Sequence, residues 1–109
     1  MWSRVLSDCE GVLSVPDQVA LACRWSLQRL SDLAPGRSVE VRVPPYGAVQ
    51  VIEGTTHTRG TPPAVIEVTP EIWLRLASGQ IDYDHAVETG KVQASGLRAD
   101  LKPWLPLTL

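Results

Sequence analysis

The apolar positions of this chain change period several times, and each change marks an element. From Asp17 to Ala34, the residues Val19, Cys23, Leu27, Leu30 and Ala34 recur at spacings of four, four, three and four. That recurrence lays them along one face of an amphipathic helix. Leu21 and Trp25 form a second, narrower apolar line. Asp17 follows Pro16 and is expected to cap the helix, and Pro35-Gly36 ends it. The period then shortens to two. Val39, Val41 and Val43 alternate with Glu40 and Arg42, the pattern of a half-buried strand. Pro44-Pro45-Tyr46-Gly47 turns the chain into a second strand, Ala48 to Glu53, with Val49 and Val51 on one face. A polar stretch, Gly54 to Pro63, precedes a third strand from Ala64 to Thr69, where Ala64, Ile66 and Val68 share a face.

Thr69-Pro70-Glu71 has the chemistry of a helix start: a hydroxyl cap, proline in the first turn, and an acid near the positive end of the dipole. Ile72, Trp73, Leu76 and Ala77 are expected to face inward, and Ser78-Gly79 ends the helix. Asp82 can cap a second, short helix carrying Tyr83, Ala86 and Val87 inward and ending at Gly90. Lys91 to Ser95 reads as a fourth strand with Val92 and Ala94 buried, and Leu97 to Trp104 as a last helix limited by Pro103 and Pro106. Residues 1–16 read as an arm or short helix and residues 17–109 as the domain. Strands joined by loops suggest an antiparallel meander, and two helices fill the crossover before strand four. The fold class is α+β: one mainly antiparallel sheet of four to five strands with helices packed on one face.

Composition adds limits. The 109 residues are 44% hydrophobic and 20% charged, with formal charge −2, which is an ordinary globular composition. Such a balance recruits neither nucleic acid nor an anionic membrane surface. The longest uncharged stretch, Val43 to Ile52, is far short of the roughly 20 apolar residues of a spanning helix, so stable membrane insertion is not expected. Arg4, Asp8 and Glu10 interrupt any secretory apolar run. A cytoplasmic setting with reduced Cys9 and Cys23 is the expectation, and Cys23, on the helical stripe, reads as a small buried hydrophobe.

The element order and several motifs resemble the sterol carrier protein 2 family, and within it the branch of bacterial sterol-carrier orthologues. The motifs lie in order: Val65–Val68, Trp73-Leu74-x-Leu76-x-x-Gly79, Ala86, Gly90-Lys91-Val92-x-x-x-Gly96, and Leu97 onward. Val39–Pro63 looks like the bacterial branch specifically. The resemblance covers about residues 17 to 107. It departs in the strand count, four being readable where the family usually has five, and Thr55–Thr61 can hide the missing edge strand. It departs also in its ending: Leu-Thr-Leu stands where eukaryotic members carry a peroxisomal tripeptide. What the resemblance implies is non-catalytic binding of an apolar or amphiphilic molecule between sheet and helices. A fatty acyl group or another lipid fits a bacterial member better than sterol.

On that reading, Val49, Val51, Ile66 and Val68 line the sheet side of a pocket, and Leu27, Trp73 and Leu76 the helix side. Trp104, Leu105, Leu107 and Leu109 form a lid. The opposing reading is that the same side chains simply fill one core. His57 and Arg59 lie among threonine hydroxyls in the polar stretch, where Arg59 can hold an anionic head group; the opposing reading is a solvated connection. Asp82, Asp84 and His85 are metal-capable types, but their positions suit capping and the helix dipole instead. Neither histidine nor cysteine sits in a catalytic motif, and no phosphate loop or dinucleotide fingerprint occurs, so neither catalysis nor a cofactor is expected. The competing function is protein–protein contact without a cavity, as a homodimer or an accessory module, with the apolar tail docked on a second chain.

Overall fold

The computed structural model describes residues 11, 13–53, 64–96 and 101–107. Helix α1 (Pro16–Leu33) begins two residues earlier than Asp17 would make it as a cap. Val15 is the N-cap residue and offers no side-chain bond. Pro16 takes the first turn, where its missing N–H costs nothing, and Asp17 instead faces the positive end of the dipole. The buried stripe is Val19, Ala22, Cys23, Ser26, Leu27 and Leu30, while Leu21 is 51% exposed.

Strand β1 (Val39–Val43) pairs antiparallel with β2 (Gly47–Val51), Val41 opposite Val49. Strand β3 (Ala64–Val68) lies on the other side of β1 and runs parallel to it, Val41 opposite Ile66. Strand β4 (Val92–Gly96) pairs antiparallel with β3. The order is β2-β1-β3-β4. The sheet is therefore mixed and mostly antiparallel, and the expected meander is corrected. The physical reason lies in β1. Its three valines are at most 1% exposed, so its apolar face must be continued on both sides, and β3 takes the edge that β2 leaves open. The expected edge strand within Thr55–Thr61 lies outside the described residues.

The chain enters β1 and leaves β2 at one tight crossing. The Ile52 N–H donates to the Ala34 carbonyl at 2.7 Å, and the Ile52 carbonyl accepts from the Ser38 N–H at 3.1 Å and the Ser38 Oγ at 2.6 Å. Ile52 itself has φ 70°, which ends β2 two residues before Glu53. Gly36 has φ +152°, and a Cβ on it would lie 2.1 Å from the Ile52 carbonyl carbon and oxygen. Only glycine permits that approach.

Helix α2 (Pro70–Ser78) starts as its residues predict: the Thr69 Oγ1 accepts from the Ile72 N–H at 3.4 Å, Pro70 follows, and Glu71 sits in the first turn. Helix α3 (Tyr83–Glu88) is capped by Asp82, which accepts from the His85 N–H at 3.2 Å. On α2 the buried residues are Trp73, Leu74, Leu76 and Ala77, with Ile72 half-buried. On α3, Tyr83 and Ala86 are buried but Val87 is 38% exposed, because a helix of one and a half turns buries only a narrow stripe. Ala94, expected inside, is exposed; β4 is a sheet edge, and the helical cover reaches only Val92. Of the expected last helix, residues 97–100 lie outside the described residues, and the rest is a 3-10 turn, Lys102–Trp104. Pro103 lacks the N–H that an α-helix would need.

All the buried apolar side chains join one cluster between the sheet's inner face and the helices, with α1 packed on β2 and on α2. The outer face is polar. There Arg42 pairs with Glu40 along β1, and the Arg37 Nε donates to the Gln50 Oε1 at 3.3 Å.

Candidate functional site

The nine apolar residues expected to line a pocket come together in space. Leu27, Val51, Ile66, Val68, Trp73 and Leu76 are buried, none more than 4% exposed. Val49, Trp104 and Leu105 are half-buried against the same cluster. The alternation of β1 and β3 aims their inner residues at the helices, and the stripes of α1 and α2 return the contact. Side chains so fully covered are in contact with one another, as in a closed core.

Trp73 is the centre of that contact. Its ring is wholly inaccessible, and its indole Nε1–H donates to the Ser26 Oγ at 2.8 Å. The Ser26 hydroxyl in turn donates back along α1, to the Ala22 carbonyl at 2.6 Å, with the Cys23 carbonyl at 3.0 Å. A buried indole N–H needs an acceptor, and Ser26 supplies it across the α1–α2 interface. Sequence reasoning missed Ser26. The available signal was its position: a serine three and four residues beyond Cys23 and Ala22, inside the apolar stripe. Cys23 is buried on the same face, as a small hydrophobe would be.

The tail closes over the C-terminal end of α2. Leu101 and Leu107 are buried, at 1% and 6% exposure. The Leu107 N–H donates to the Ala77 carbonyl at 3.0 Å, satisfying one of the acceptors that a helix C-terminus leaves open. Gly79 ends α2 with φ 85°, and a Cβ there would stand 3.3 Å from Pro106. So the tail lies on its own chain over residues 101–107. Leu109 lies outside the described residues.

Two surface clefts border this arrangement. One, of about 150 Å³, runs between the tail and the α2–α3 connection, lined by Leu76, Gly79, Ile81, Asp82, Tyr83, Leu105 and Pro106. Its floor reaches the core through Leu76 and Tyr83. The other, of about 350 Å³, lies where β3 ends and β4 begins, lined by Pro44, Glu67, Val68, Thr69, Gly90, Lys91 and Gln93. Its lining includes the charged Glu67 and Lys91, and it reaches the core only through Val68.

The remaining candidates separate cleanly. His57 and Arg59 lie outside the described residues. Asp82 is engaged as the α3 cap, and among the described residues no group of three or more His, Cys, Asp or Glu could hold a metal ion. Among the described residues no helix is long and apolar enough to cross a membrane. Comparison with curated proteins finds no match. Residues 16–107 match the family model described as bacterial SCP ortholog, nearly the span over which the motifs run in order, and the chain belongs to that family of bacterial sterol carrier orthologues.

Proposed function

We propose that this chain binds a lipid or another apolar small molecule non-catalytically, between the sheet and the helices, and that the ligand enters beside the C-terminal tail. The observation that carries this reading is the 150 Å³ cleft under the tail. Its wall combines apolar Leu76, Ile81, Leu105 and Pro106 with Tyr83 and Asp82, and it includes two of the nine expected pocket residues, Leu76 and Leu105. Family membership supports the ligand class. A cleft of that size is smaller than the roughly 300–1,000 Å³ of small-molecule sites. Binding an acyl chain therefore requires the tail to move and the core to part around Leu27, Val49, Val51, Ile66, Val68, Trp73 and Leu76. Trp104 and Leu105, half-buried at the rim, would then cover the chain.

A fatty acyl group with an anionic head fits this arrangement, the head group being held by Arg59 and His57. The Arg59 guanidinium would provide the fork that a carboxylate matches. No covalent step, cofactor or nucleic acid enters this reading, and its setting is the cytoplasm. Native mass spectrometry of freshly purified protein, followed by solvent extraction, tests it. A discrete adduct of lipid mass that is lost on denaturation is expected. A clean apo mass, together with failure to take up a fluorescent fatty acid, overturns it. Arg59→Ala should weaken uptake of an acyl carboxylate while leaving uptake of the corresponding acyl alcohol unchanged; equal loss for both would remove Arg59 from the site.

A further inference from the structure

The larger of the two clefts, about 350 Å³, falls within the roughly 300–1,000 Å³ of small-molecule sites, and the function proposed above does not use it. Strands β1 and β3 are the parallel pair of the sheet, so their carboxyl ends lie side by side. Pro44 follows β1, Thr69 follows β3, and both line the cleft. From there the chain leaves in two directions, to β2 from one strand and to α2 from the other. A crevice at the carboxyl ends of neighbouring parallel strands, where the connections diverge, is where open α/β sheets hold their ligands. Four lining residues carry polar side chains, and two of these are committed elsewhere. The Thr69 Oγ1 accepts from the Ile72 N–H at 3.4 Å, and the Gln93 amide donates to the Gly90 carbonyl at 3.1 Å. The other two, Glu67 and Lys91, are charged and of opposite sign. Gln93 stands directly opposite Glu67. Lys91, two residues earlier, is therefore the diagonal neighbour of Glu67, about 7–8 Å away between Cα atoms. Yet the two form no ion pair with each other, and among the described residues neither forms one with any other group. Arg42, which faces Glu67 from β1, pairs with Glu40 instead.

We propose that this cleft is a second binding site, for a small zwitterion: a free molecule of the amino-acid type that carries one ammonium and one carboxylate. The two unpaired charges select that occupant. A simple anion drawn to Lys91 meets the repulsion of Glu67, and a simple cation drawn to Glu67 meets that of Lys91. A ligand with both signs gains at both ends. Its ammonium donates to the Glu67 carboxylate, and the Lys91 ammonium donates to its carboxylate, both charge-assisted hydrogen bonds. The gap that Glu67 and Lys91 do not close themselves is the space the ligand's own chain fills. The apolar floor is Val68, only 4% exposed, so an acyl chain finds no cover here, and a free zwitterion fits better than the head group of a lipid. The cleft shares no lining residue with the one beside the tail, so this site stands or falls independently of the proposed lipid binding. Both charged side chains are exposed, and exposed ion pairs are weak, so the affinity is low.

Titration of the isotope-labelled full chain, followed by proton–nitrogen NMR, reads the site directly. The probes are glycine, β-alanine, γ-aminobutyrate and δ-aminovalerate, a series that lengthens the distance between ammonium and carboxylate. At least one should shift the amides of Val68, Thr69, Lys91 and Gln93 saturably, with a Kd of about 1 mM, and leave those of the tail unmoved. Propionate and propylamine, each with a single charge, should not do so at the same concentrations. Glu67→Gln and Lys91→Gln should each weaken the best zwitterion about three- to five-fold, the upper range for an exposed ion pair. Exchanging the charges, Glu67→Lys with Lys91→Glu, should restore binding. Absence of a saturable shift with all four zwitterions overturns the proposal. So do equal shifts with propionate or propylamine, or an affinity that neither glutamine variant lowers. Both side chains are exposed, so the circular dichroism spectrum should be unchanged in every variant. If the exchanged pair does not fold, the two glutamine variants decide alone.

Discussion

Helix α2 is held on two sides by contacts of opposite kinds. Toward α1 it presents Trp73, wholly buried and hydrogen-bonded to Ser26. That contact joins two long elements and satisfies its polar groups internally. Toward the tail it presents Ala77 and Gly79, and receives one backbone hydrogen bond from Leu107 and the ring of Pro106. The tail has only a single 3-10 turn of its own. Opening the first contact exposes a large apolar ring and strands an indole N–H. Opening the second exposes Leu107 and the already half-buried Trp104 and Leu105, and returns two backbone groups to water. Local opening follows the side with fewer buried apolar contacts, so on the proposed function the tail side is where a ligand would enter without unfolding the domain.

The harshest way to break this comparison is Trp73→Ala. Removing a fully buried indole should cost about 3–5 kcal/mol, read as a lowered midpoint in urea at unchanged slope. A loss under about 1 kcal/mol would mean that the α1–α2 contact is not the rigid side. On the tail side, Leu107→Ala should cost about 2 kcal/mol, the low end for a buried leucine, because the tail relaxes into the space more readily than a helix does. Its second effect distinguishes the sides: uptake of a fluorescent fatty acid should become faster. Slower or unchanged uptake would place the entrance elsewhere.

Ser26→Ala probes a contact that sequence reasoning did not see. The change removes little volume but leaves the Trp73 N–H buried without an acceptor, at about 1–2 kcal/mol. In a Trp73→Phe background the same change should cost much less, since no donor remains to satisfy. Additive losses would mean that the Ser26 hydroxyl acts only within α1. That Ser26 was missed, while Thr69 and Asp82 were read correctly as caps, has a physical cause. Capping is local: the acceptor lies three residues from its donor, and both appear in the same short string. The Ser26–Trp73 bond joins residues far apart in the chain, and a serine inside an apolar stripe does not announce its partner. The same distinction explains the sheet. The alternation of Val39, Val41 and Val43 was legible, but the neighbour of β1 was not, because pairing order is decided between strands. Ala94 sits at the correct phase for burial, yet periodicity carries no information about which strand forms an edge. The nine residues expected to line a pocket belong to, or pack against, one core cluster. Whether they surround a ligand or one another is a question of a few ångströms of separation, and residue type does not encode that.

The smallest and most selective change is Gly79→Ala. Glycine at this position serves two purposes at once. Its φ of 85° lets α2 end in the left-handed conformation, with the Gly79 N–H donating to the Leu76 carbonyl at 3.2 Å. Its missing side chain also leaves room for Pro106. An alanine there should cost about 1 kcal/mol for the backbone conformation. Its Cβ would stand 3.3 Å from the Pro106 Cβ, so the tail must give by a few tenths of an ångström. The Trp73–Ser26 contact lies near the start of α2, more than a turn away from Gly79, and should not register the change. Tryptophan fluorescence cannot separate the sides cleanly, because Trp2, Trp25, Trp73 and Trp104 all report. With Trp2, Trp25 and Trp104 all replaced by Phe, the buried Trp73 is the one tryptophan left, and its emission should be the same with and without Gly79→Ala. Proteolysis near the tail should accelerate, since the population of the detached tail rises by the few-fold that about 1 kcal/mol implies. Faster ligand uptake without a change in Trp73 emission would confine the opening to the tail. A shift in Trp73 emission would show instead that α2 moves as one body, and that its two contacts are mechanically coupled.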